Sequence, residues 1–508
     1  MKLSELIKRD EAKITPENLE EYRRIWAKEI GGMPKNSDIW PCLTNEELIR
    51  HLRTREVRTL SGVAPFAVMT MPFYCPGECT YCPLEEGMPK SYLSDEPAAQ
   101  RAKRLNFDPR AQVEMRLSQL SQTGHITDKI DLIVVGGTFS VYPEDYKVGF
   151  FKGMFDGING FESKSLEEAQ KYNETAPHRV VGISVETRPD WVTEEEVILW
   201  RKLGVTKVQL GVQAFDEEVM KKIKRGHSLK AVAEATRMCR NAGIKICYHL
   251  MPNLPGSSPE KDIESARIMY EDPRFGPDFL KIYPAMVIPG TEMYEQWKRG
   301  EYKSYSDEEL IKVLKKIKEM TPKWTRIDRL VRDISKKWVA SGTQKTNLRQ
   351  IIQQELKKEG KTCQCIRCRE VRAGIYDTKV ELVISERETL GGKELFLSFE
   401  TGNKLFSLLR LRLPDAGEKM LFPELEGSAI VREVHTFGQV SELDTKETEK
   451  SQHQGLGKKL MAKAEQIARE RGYKKMAVIS AIGTREYYMK LGYELEGGYM
   501  VKDLTQSL

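Results

Sequence analysis

The chain has 508 residues, 40% of them hydrophobic, which is enough for about three domains with buried cores. Its 81 Lys and Arg residues against 75 Asp and Glu residues give a net charge of +6, so bulk charge excludes a strongly basic nucleic-acid-binding protein and only local clusters can indicate RNA. No run of about 20 apolar residues is present and MKLSELIKRDEAK lacks an apolar signal core, so we expect no membrane span and a cytoplasmic location.

Residues 1–60 are predicted to be helical and basic. In LTNEELIRHL, Thr44 is a candidate N-cap before apolar residues at helical spacing. Arg53, Arg55 and Arg58 crowd together just after this helix. The arginines are compatible with a solvated helix face and equally with phosphate contacts, because they stand just before a cysteine-rich loop.

Three of the nine cysteines stand in MPFYCPGECTYCP, where Cys75, Cys79 and Cys82 have the spacing C-x3-C-x2-C. Three thiolates on one short loop can hold three irons of a [4Fe–4S] cluster and leave the fourth iron open for S-adenosylmethionine (SAM). A zinc loop or three unrelated thiols are the alternatives, but zinc usually takes four ligands in spaced pairs. Cysteines concentrated in two such clusters do not form a disulfide framework, which favours a reducing compartment.

A polar segment follows the cysteines and mixes basic with aromatic side chains. Tyr92 and Phe107 are interleaved with the cations Lys90, Arg101, Lys103 and Arg104. Cations suit phosphates and rings suit unpaired bases, so this segment is a candidate for binding single-stranded RNA. An ordinary surface helix explains the pattern almost as well.

From Arg110 to about residue 285, helices alternate with short apolar strands. This order predicts a parallel sheet covered by helices, and five or six such units indicate a closed or partial (βα) barrel. Gly136–Thr138 follow IDLIVV, Glu186 follows VVGISV and Gln213 follows VQLGV. Because barrels place their sites where strands end, we expect these residues to share one edge.

The stretch from about Ser304 to Glu370 is basic and helical, and it ends in a second cysteine cluster. Cys363, Cys365 and Cys368 form C-x-C-x2-C among basic residues. A structural zinc with one ligand from elsewhere is predicted, with Cys247 or His249 as candidates for that ligand. Incidental or reactive thiols are the alternative.

The last 135 or so residues are predicted to form a separate domain of alternating, antiparallel strands. In QHQGLGKKLMAKAEQIARERG, Gly455 and Gly457 open a helix. Main-chain N–H groups at such a helix start can bind a pyrophosphate. The strand KKMAVISA and then TREYYMKLGY follow, and this order strengthens the interpretation.

These motifs resemble two known superfamilies. The cysteine loop with GGT and alternating strands and helices resembles radical SAM enzymes, and QHQGLGKKL with REYYMKLGY resembles the GNAT acetyltransferases. With HLMPNLPG and LKIYPAMVIPGT as well, nearly the whole chain resembles the family of Elongator catalytic subunits, in its standalone bacterial or archaeal form. The resemblance implies an α/β fold, namely a partial (βα) barrel of radical SAM type joined to a GNAT-type mixed α/β domain.

The resemblance also assigns cofactors and residues. It implies a [4Fe–4S] cluster on Cys75, Cys79 and Cys82, with SAM contacted by Gly136, Gly137, Thr138 and Glu186. It implies acetyl-CoA contacts from Lys129, from Glu433, Val434, His435 and Thr436, and from Leu456, Gly457 and Lys458. Tyr488 is expected near the thioester, so that Tyr488 and Lys129 are the candidate catalytic residues. The basic residues already named are candidates for binding the anticodon stem-loop of tRNA.

The family installs a carboxymethyl-type group at carbon 5 of the tRNA wobble uridine. Carbon 5 is not a nucleophile toward a thioester, so a radical route is expected: a 5′-deoxyadenosyl radical takes hydrogen from the acetyl methyl group, the carbon radical adds to uridine, and hydrolysis frees the carboxylate. Two alternatives are a protein lysine acetyltransferase with a structural radical SAM domain, and an RNA-binding scaffold without catalysis. The intact cysteine triad and glycine loop argue against the scaffold.

Four regions are predicted: a helical basic region 1–60, a radical SAM domain 61–325, a basic linker with the cysteine cluster 326–370, and a GNAT domain 371–508. An electron-donor protein is an expected partner, and the chain is expected to be a monomer or a homodimer. The sequence does not identify the tRNAs, the electron donor, the linker metal or its fourth ligand.

Overall fold

Helices form the N-terminal part of the chain in the computed structural model, which describes residues 2–52, 62–371, 379–437 and 455–505. The helices are α1 Leu3–Asp10, α2 Leu19–Ile30, α3 Asn36–Ile39 and α4 Glu46–Leu52. They pack around Trp26, whose indole N–H donates to Asp10 at 3.0 Å. The indole of Trp40 donates to the Gln122 carbonyl at 2.9 Å and joins this bundle to the next unit.

The next unit is an open half-barrel of seven parallel strands in sequence order. The strands are β1 Ala64–Met69, β2 Lys129–Val135, β3 Arg179–Thr187, β4 Lys207–Gln213, β5 Lys245–Leu250, β6 Phe279–Ile282 and β7 Arg326–Arg329. The helices around and after them are α5 Pro97–Arg104, α6 Pro109–Ser121, α7 Glu144–Asn159, α8 Leu166–Asn173, α9 Glu194–Leu203, α10 Glu217–Lys222, α11 Leu229–Asn241, α12 Pro259–Glu271, α13 Glu292–Lys298, α14 Asp307–Met320, α15 Leu348–Lys358 and α16 Ile366–Arg369.

Local sequence explains these boundaries. Strands β2 to β6 are rich in Val, Ile and Leu and are mostly buried, as is usual for parallel strands under helices. Helices α9, α11 and α12 begin after Thr193, Ser228 and Ser258, whose hydroxyls accept a backbone N–H three residues later at 3.2–3.3 Å. Apolar runs thus account for the strands, and the capping hydroxyls account for where these three crossover helices begin.

A second, mixed sheet forms the C-terminal unit in the order β13-β14-β12-β11-β10-β9-β8. Its strands are β8 Glu381–Thr389, β9 Gly392–Thr401, β10 Lys404–Pro414, β11 Ser428–Thr436, β12 Lys475–Val478, β13 Glu494–Glu496 and β14 Tyr499–Asp503, with helices α17 Leu456–Glu470 and α18 Arg485–Met489. Strand β11 pairs with β12 in parallel over residues 428–431 only, and the other neighbours are antiparallel. Beyond Val431 the two parallel strands part.

The two sheets share one hydrophobic core. Ile430, Ile479 and Tyr499 of the second unit pack in the same buried cluster as Ile183 and Ile246 of the half-barrel. Such continuity makes the interface part of the fold and not a surface contact between separate units.

The expected fold class is confirmed, with two differences in detail. Strand β1, in VAPFAVM, was not predicted, because it follows the arginine-rich stretch that resembled a helix. Strand β7 lies in the stretch expected to be linker, because its four residues, RIDR, carry three charges and show no apolar run. Among the described helices, none is both long and apolar enough to cross a membrane. The predicted division into four regions stays a prediction.

Candidate active site

The cysteine loop is held from both sides by backbone hydrogen bonds at Thr80. The Thr80 N–H donates to the Ile223 carbonyl at 3.1 Å, and the Met293 N–H donates to the Thr80 carbonyl at 2.8 Å. The Lys90 ammonium also donates to the Gly77 carbonyl. The loop is therefore fixed between α10 and α13.

The spread of the loop thiols suits a multi-iron cluster. A single zinc ion binds thiolates at about 2.3 Å, so its ligand sulfurs lie within about 4.6 Å of one another. Among the described residues, Cys363, Cys365 and Cys368 are the three ligand groups within 4.8 Å of each other. The thiols of Cys75, Cys79 and Cys82 do not form such a set, and they fit a [4Fe–4S] cluster better than one ion.

Arg225 favours the thiolate that a cluster requires at Cys79. Its guanidinium donates to the Cys79 sulfur at 3.3 Å and to the Gly211 carbonyl at 3.0 Å. Burial is the largest single influence and raises the pKa of Cys79. The charge and hydrogen bond of Arg225, the hydrogen bond of Tyr81 and the charge of Arg188 together outweigh burial and leave that pKa below its ordinary value. Burial raises the pKa of Cys82 to about 12.

The GGT turn brings bare backbone to the loop. Gly136 and Gly137 have φ of +138° and +96°, and a Cβ on Gly136 would clash with the hydroxyl of Thr70. The Thr138 hydroxyl lies 3.7 Å from the Cys75 sulfur. The two glycines therefore let the turn pack closely against Thr70 and the Lys90 carbonyl, and Gly137 and Thr138 line the space beside the cluster loop.

Glu186, at the end of β3, is fixed by two partners. The Tyr92 hydroxyl donates to its carboxylate at 2.6 Å, and the Lys281 ammonium lies 3.7 Å away. Lys281 also donates to Gln209, which contacts His249 at 3.2 Å. A polar strip therefore crosses the inner face of the half-barrel.

The three loop cysteines, Glu186 and Lys281 line one cavity of about 1250 Å³. Its other wall includes Glu433, His435 and Phe437 of the second unit. The cysteine loop and strand β11 therefore face the same space. The walls contain more cations than carboxylates, so the cavity suits anionic ligands.

Strand β11 offers an open edge on the far side of this cavity. Its residues 433–436 pair with β10 on one side, whereas β12 has already parted from them on the other. Arg410 donates to the Glu433 carboxylate at 2.7 Å. Within the part of the chain that the structure describes, the buried Nε2 of His435 has no hydrogen-bond partner. A backbone edge without a neighbouring strand can hydrogen-bond an extended ligand.

Comparisons with known proteins match both halves of the chain. The Radical SAM superfamily matches residues 69–268, the Radical_SAM C-terminal domain residues 277–358 and the Acetyltransferase (GNAT) family residues 448–493. The tRNA uridine(34) acetyltransferase of Methanocaldococcus infernus is 46% identical, over 93% of this chain and 92% of its own. Elongator complex protein 3 of Homo sapiens is 41% identical over 90% and 87%.

The chain belongs to the Elongator complex protein 3 family.

A solved structure agrees with this. The Methanocaldococcus infernus Elp3 with an N-terminal deletion superposes with a TM-score of 0.77 at 42% identity, covering 87% of this chain and 99% of that one. A radical SAM domain takes a [4Fe–4S] cluster and SAM, and a GNAT domain takes acetyl-CoA. The two walls of the cavity in this family member therefore belong to the two halves that carry these cofactors.

Lys129 and Tyr488 lie away from the cysteine loop. Lys129 begins β2 at the opposite edge of the half-barrel, in register with Arg179, which binds Glu486 of α18 at 2.9 Å. The Tyr488 phenol is buried, and burial raises its pKa, so it stays protonated. The expected acetyl-CoA contacts of both residues stay predictions.

Some residues expected to contact coenzyme A have buried side chains and others have exposed ones. The hydroxyls of Tyr487 and Thr436 approach the α-carbon side of Gly457, at 3.2 and 3.6 Å from where a Cβ would lie. Leu456 is buried, Lys458 is exposed, and Val434 packs into the core of the second unit. Because its side chain packs into that core, Val434 can contact a ligand through its backbone.

The basic candidates occupy different places. Lys90 and Arg101 line the cavity, and Lys90 is engaged by the cysteine loop itself. Lys103 and Arg104 are exposed at the end of α5. Arg53, Arg55 and Arg58 lie outside the described residues. Binding of tRNA by any of them stays a prediction.

The linker thiols Cys363, Cys365 and Cys368 fit a zinc ion by their mutual distances. Hydrogen bonds from Cys363 and Cys365, with Lys318 at 3.6 Å, lower the pKa of Cys368.

The expectation of Cys247 or His249 as the fourth ligand is wrong. Among the described residues neither joins the set of mutually close ligand atoms. Both lie on the inner face of β5, where His249 contacts Gln209, whereas the linker thiols pack against Tyr270 of α12 and Lys318 of α14 on the outside.

Sequence reasoning missed Arg225, Tyr92 as a partner of Glu186, and Lys281. A charged residue in the apolar strand FLKI was a usable signal for Lys281, because a buried lysine needs a polar surrounding. No local pattern marks Arg225, which reaches Cys79 only through the fold.

Proposed function

We propose that this protein carboxymethylates carbon 5 of the wobble uridine of tRNA, with acetyl-CoA as the acyl source and SAM as the radical source. The observation that carries the proposal is the shared cavity, in which the cysteine loop and strand β11 face each other. Relatives named tRNA uridine(34) acetyltransferase support the substrate. Two separate activities would not require one common space.

The half-barrel side of the cavity holds the cluster loop and favours a thiolate at Cys79. Cys75, Cys79 and Cys82 would ligate the cluster, and Arg225 favours the thiolate form of Cys79. When bound, the cluster and SAM would supply a carbon-centred radical that can take a hydrogen atom. Gly137 and Thr138, which line the cavity, would contact the methionyl part of SAM, and Gly136 lets their turn pack against Thr70. Tyr92 holds the Glu186 carboxylate in one orientation.

The GNAT side would bind acetyl-CoA and stabilise its sulfur atom during hydrolysis. The open edge of β11 can bind the pantetheine amides, and the start of α17 can bind the pyrophosphate. Burial keeps Tyr488 protonated, so its hydroxyl could donate a hydrogen bond to the thioester sulfur, while the water consumed in hydrolysis supplies the proton of the released thiol.

Exclusion of water is the contribution of the cavity as a whole. It lies inside the half-barrel and is closed on one side by the second unit, so a reactive carbon meets few water molecules. The target uridine has to leave any base stack to enter, as an anticodon loop allows. Exposed cations such as Lys103 and Arg104 are the proposed phosphate contacts.

The test is an anaerobic reaction with iron and sulfide reconstitution, SAM, acetyl-CoA, dithionite and unmodified tRNA. Nucleosides from the digested tRNA are then analysed by mass spectrometry for carboxymethyluridine. We expect product only with all components, and none in Cys79→Ala. Cys42→Ala is the matched control, because this thiol is partly exposed in the N-terminal bundle and should leave the yield unchanged.

A product formed without SAM, or no product from an enzyme with a verified cluster and verified tRNA binding, would contradict the proposal. Lysine peptides would then be the next substrates to try, as for a protein acetyltransferase. A cytoplasmic location and an electron-donor protein that reduces the cluster are further parts of the proposal.

A further inference from the structure

We propose that Tyr74 and Phe73 form a stacking platform for an unpaired base of the substrate RNA, beside the entrance to the cluster. This inference rests on the proposed function and adds to it the place where a second base, not the reacting uridine, is held. Neither residue lines the cavity, and both precede Cys75 directly.

The segment before the cysteine loop exposes large apolar side chains where water should disfavour them. Tyr74 is 69% exposed and Phe73 40%, and Met71 is 37% exposed. On the other side of the cysteines, Leu84 is 75% exposed. Such a group beside a substrate cavity indicates a surface that is covered during function.

A ladder of rings makes this segment rigid. Phe73 stacks on Tyr142 with centroids 4.8 Å apart and planes 26° apart, and Tyr142 stacks on Tyr146 at 4.8 Å and 22°. The Tyr142 hydroxyl donates to the Met71 carbonyl at 2.6 Å, and the Met71 N–H donates to the Tyr146 hydroxyl at 3.0 Å. Phe73 is therefore held in one orientation next to Tyr74, and stacking a base on Phe73 costs little side-chain entropy.

Exposed cations lie on the two helices that contact the strand before the platform and the loop after it. Helix α5, which carries the exposed Lys103 and Arg104, packs against Met69 at the end of β1 through Ala99 and Ala102. Helix α10, which carries the exposed Lys221 and Lys222, ends where Ile223 binds the cysteine loop. Exposed rings between phosphate-binding cations are the usual composition of a single-stranded RNA site.

The rings favour RNA over an acidic electron-donor protein as the occupant. Exposed rings also occur in protein interfaces, but a nucleic acid uses both features of this region at once, because its phosphates meet the cations and every nucleobase has a π-face that stacks on a ring. The platform also stands at the loop past which a flipped uridine would reach the cavity, so a neighbouring base lies within reach.

The test is binding of a tRNA anticodon stem-loop that carries 2-aminopurine in the loop, measured by its fluorescence across a range of salt. We expect Tyr74→Ala to weaken binding about 5- to 100-fold and to abolish the fluorescence change, with no change in the salt slope. Tyr74→Phe should retain wild-type binding, and Tyr74→Leu should not. Lys103→Ala should instead lower the salt slope by about one.

Tyr172→Ala is the matched control, because Tyr172 is 46% exposed on α8 and packs on Phe161. The inference is overturned if Tyr74→Ala binds and quenches like wild type, or if Tyr172→Ala loses as much. Unchanged RNA binding with slower reduction of the cluster by a flavodoxin-type protein would assign the platform to an electron donor and also overturn it. If the wild-type chain does not bind the stem-loop, the proposed function fails first; if it carboxymethylates tRNA without needing Tyr74, only this inference fails.

Discussion

A single added methyl group at Gly136 should weaken both the fold and the binding of SAM. The residue has φ of +138°, and its Cβ would meet the Thr70 hydroxyl, so Gly136→Ala strains the backbone and displaces the turn beside Cys75. We expect a loss of about 1–3 kcal/mol in the free energy of unfolding, and loss of SAM binding by the reconstituted enzyme. Urea denaturation and equilibrium dialysis measure the two.

Gly149→Ala is the control, because Gly149 lies inside α7 with open space around its Cβ position. Alanine should stabilise that helix by about 0.5–1 kcal/mol. If Gly136→Ala behaved like Gly149→Ala, the tight approach to Thr70 would have no importance for the site.

At the scale of elements, the contact between β6 and the second sheet depends on buried charges. Arg432 of β11 binds Asp278 at 2.6 Å, just before β6, and Glu394 of β9 at 2.8 Å. The neighbouring arginines outweigh burial and hold the pKa of both carboxylates below the ordinary range. Carboxylates of this kind stabilise the fold above pH 4 or so, and the stabilisation is lost as the pH falls.

Arg432→Met should therefore cost about 3–5 kcal/mol at neutral pH, because it leaves buried carboxylates with less positive charge around them. The difference from wild type should narrow as the pH falls toward 4, where the variant protonates these carboxylates first. Chemical denaturation at several pH values measures this. Arg267→Met, which removes exposed pairs on α12, should cost at most about 1 kcal/mol; an equal cost at every pH would refute the argument.

At the scale of the whole molecule, the shared core predicts one cooperative unfolding transition. Ile430 and Tyr499 belong to the same buried cluster as the half-barrel, and Arg179 and Arg485 bind across to Glu486 and Glu174. Coenzyme A at 100 times its Kd should then raise the Tm by about 3 °C. The shift is small because the free energy gained from binding is divided by the unfolding entropy of the entire chain.

If the GNAT part unfolded alone, the same ligand would raise its Tm by about 9 °C, because far fewer residues would share the effect. Scanning calorimetry distinguishes these results. Two resolved transitions, with only one of them moved by coenzyme A, would show that the units are independent.

The sequence predicted those features that repeat or that sit in short motifs. Alternating apolar runs identified β2 to β6, and the spacing of Cys75, Cys79 and Cys82 identified the cluster loop. Strand β7 escaped because it is short and charged. The pairing of Arg225 with Cys79 and the position of the linker thiols outside the barrel depend on contacts between distant segments, which no local pattern reports.

The buried arginines between the two sheets also restrict how the two units can evolve. Arg432 and Glu394 lie in one unit and Asp278 in the other, and a charge lost on either side leaves a buried ion without its counterpart. A substitution in one half is therefore tolerated only with a matching change in the other. A hybrid whose two halves come from relatives that differ at these positions would leave a buried charge unpaired at this interface, so the two halves should evolve together.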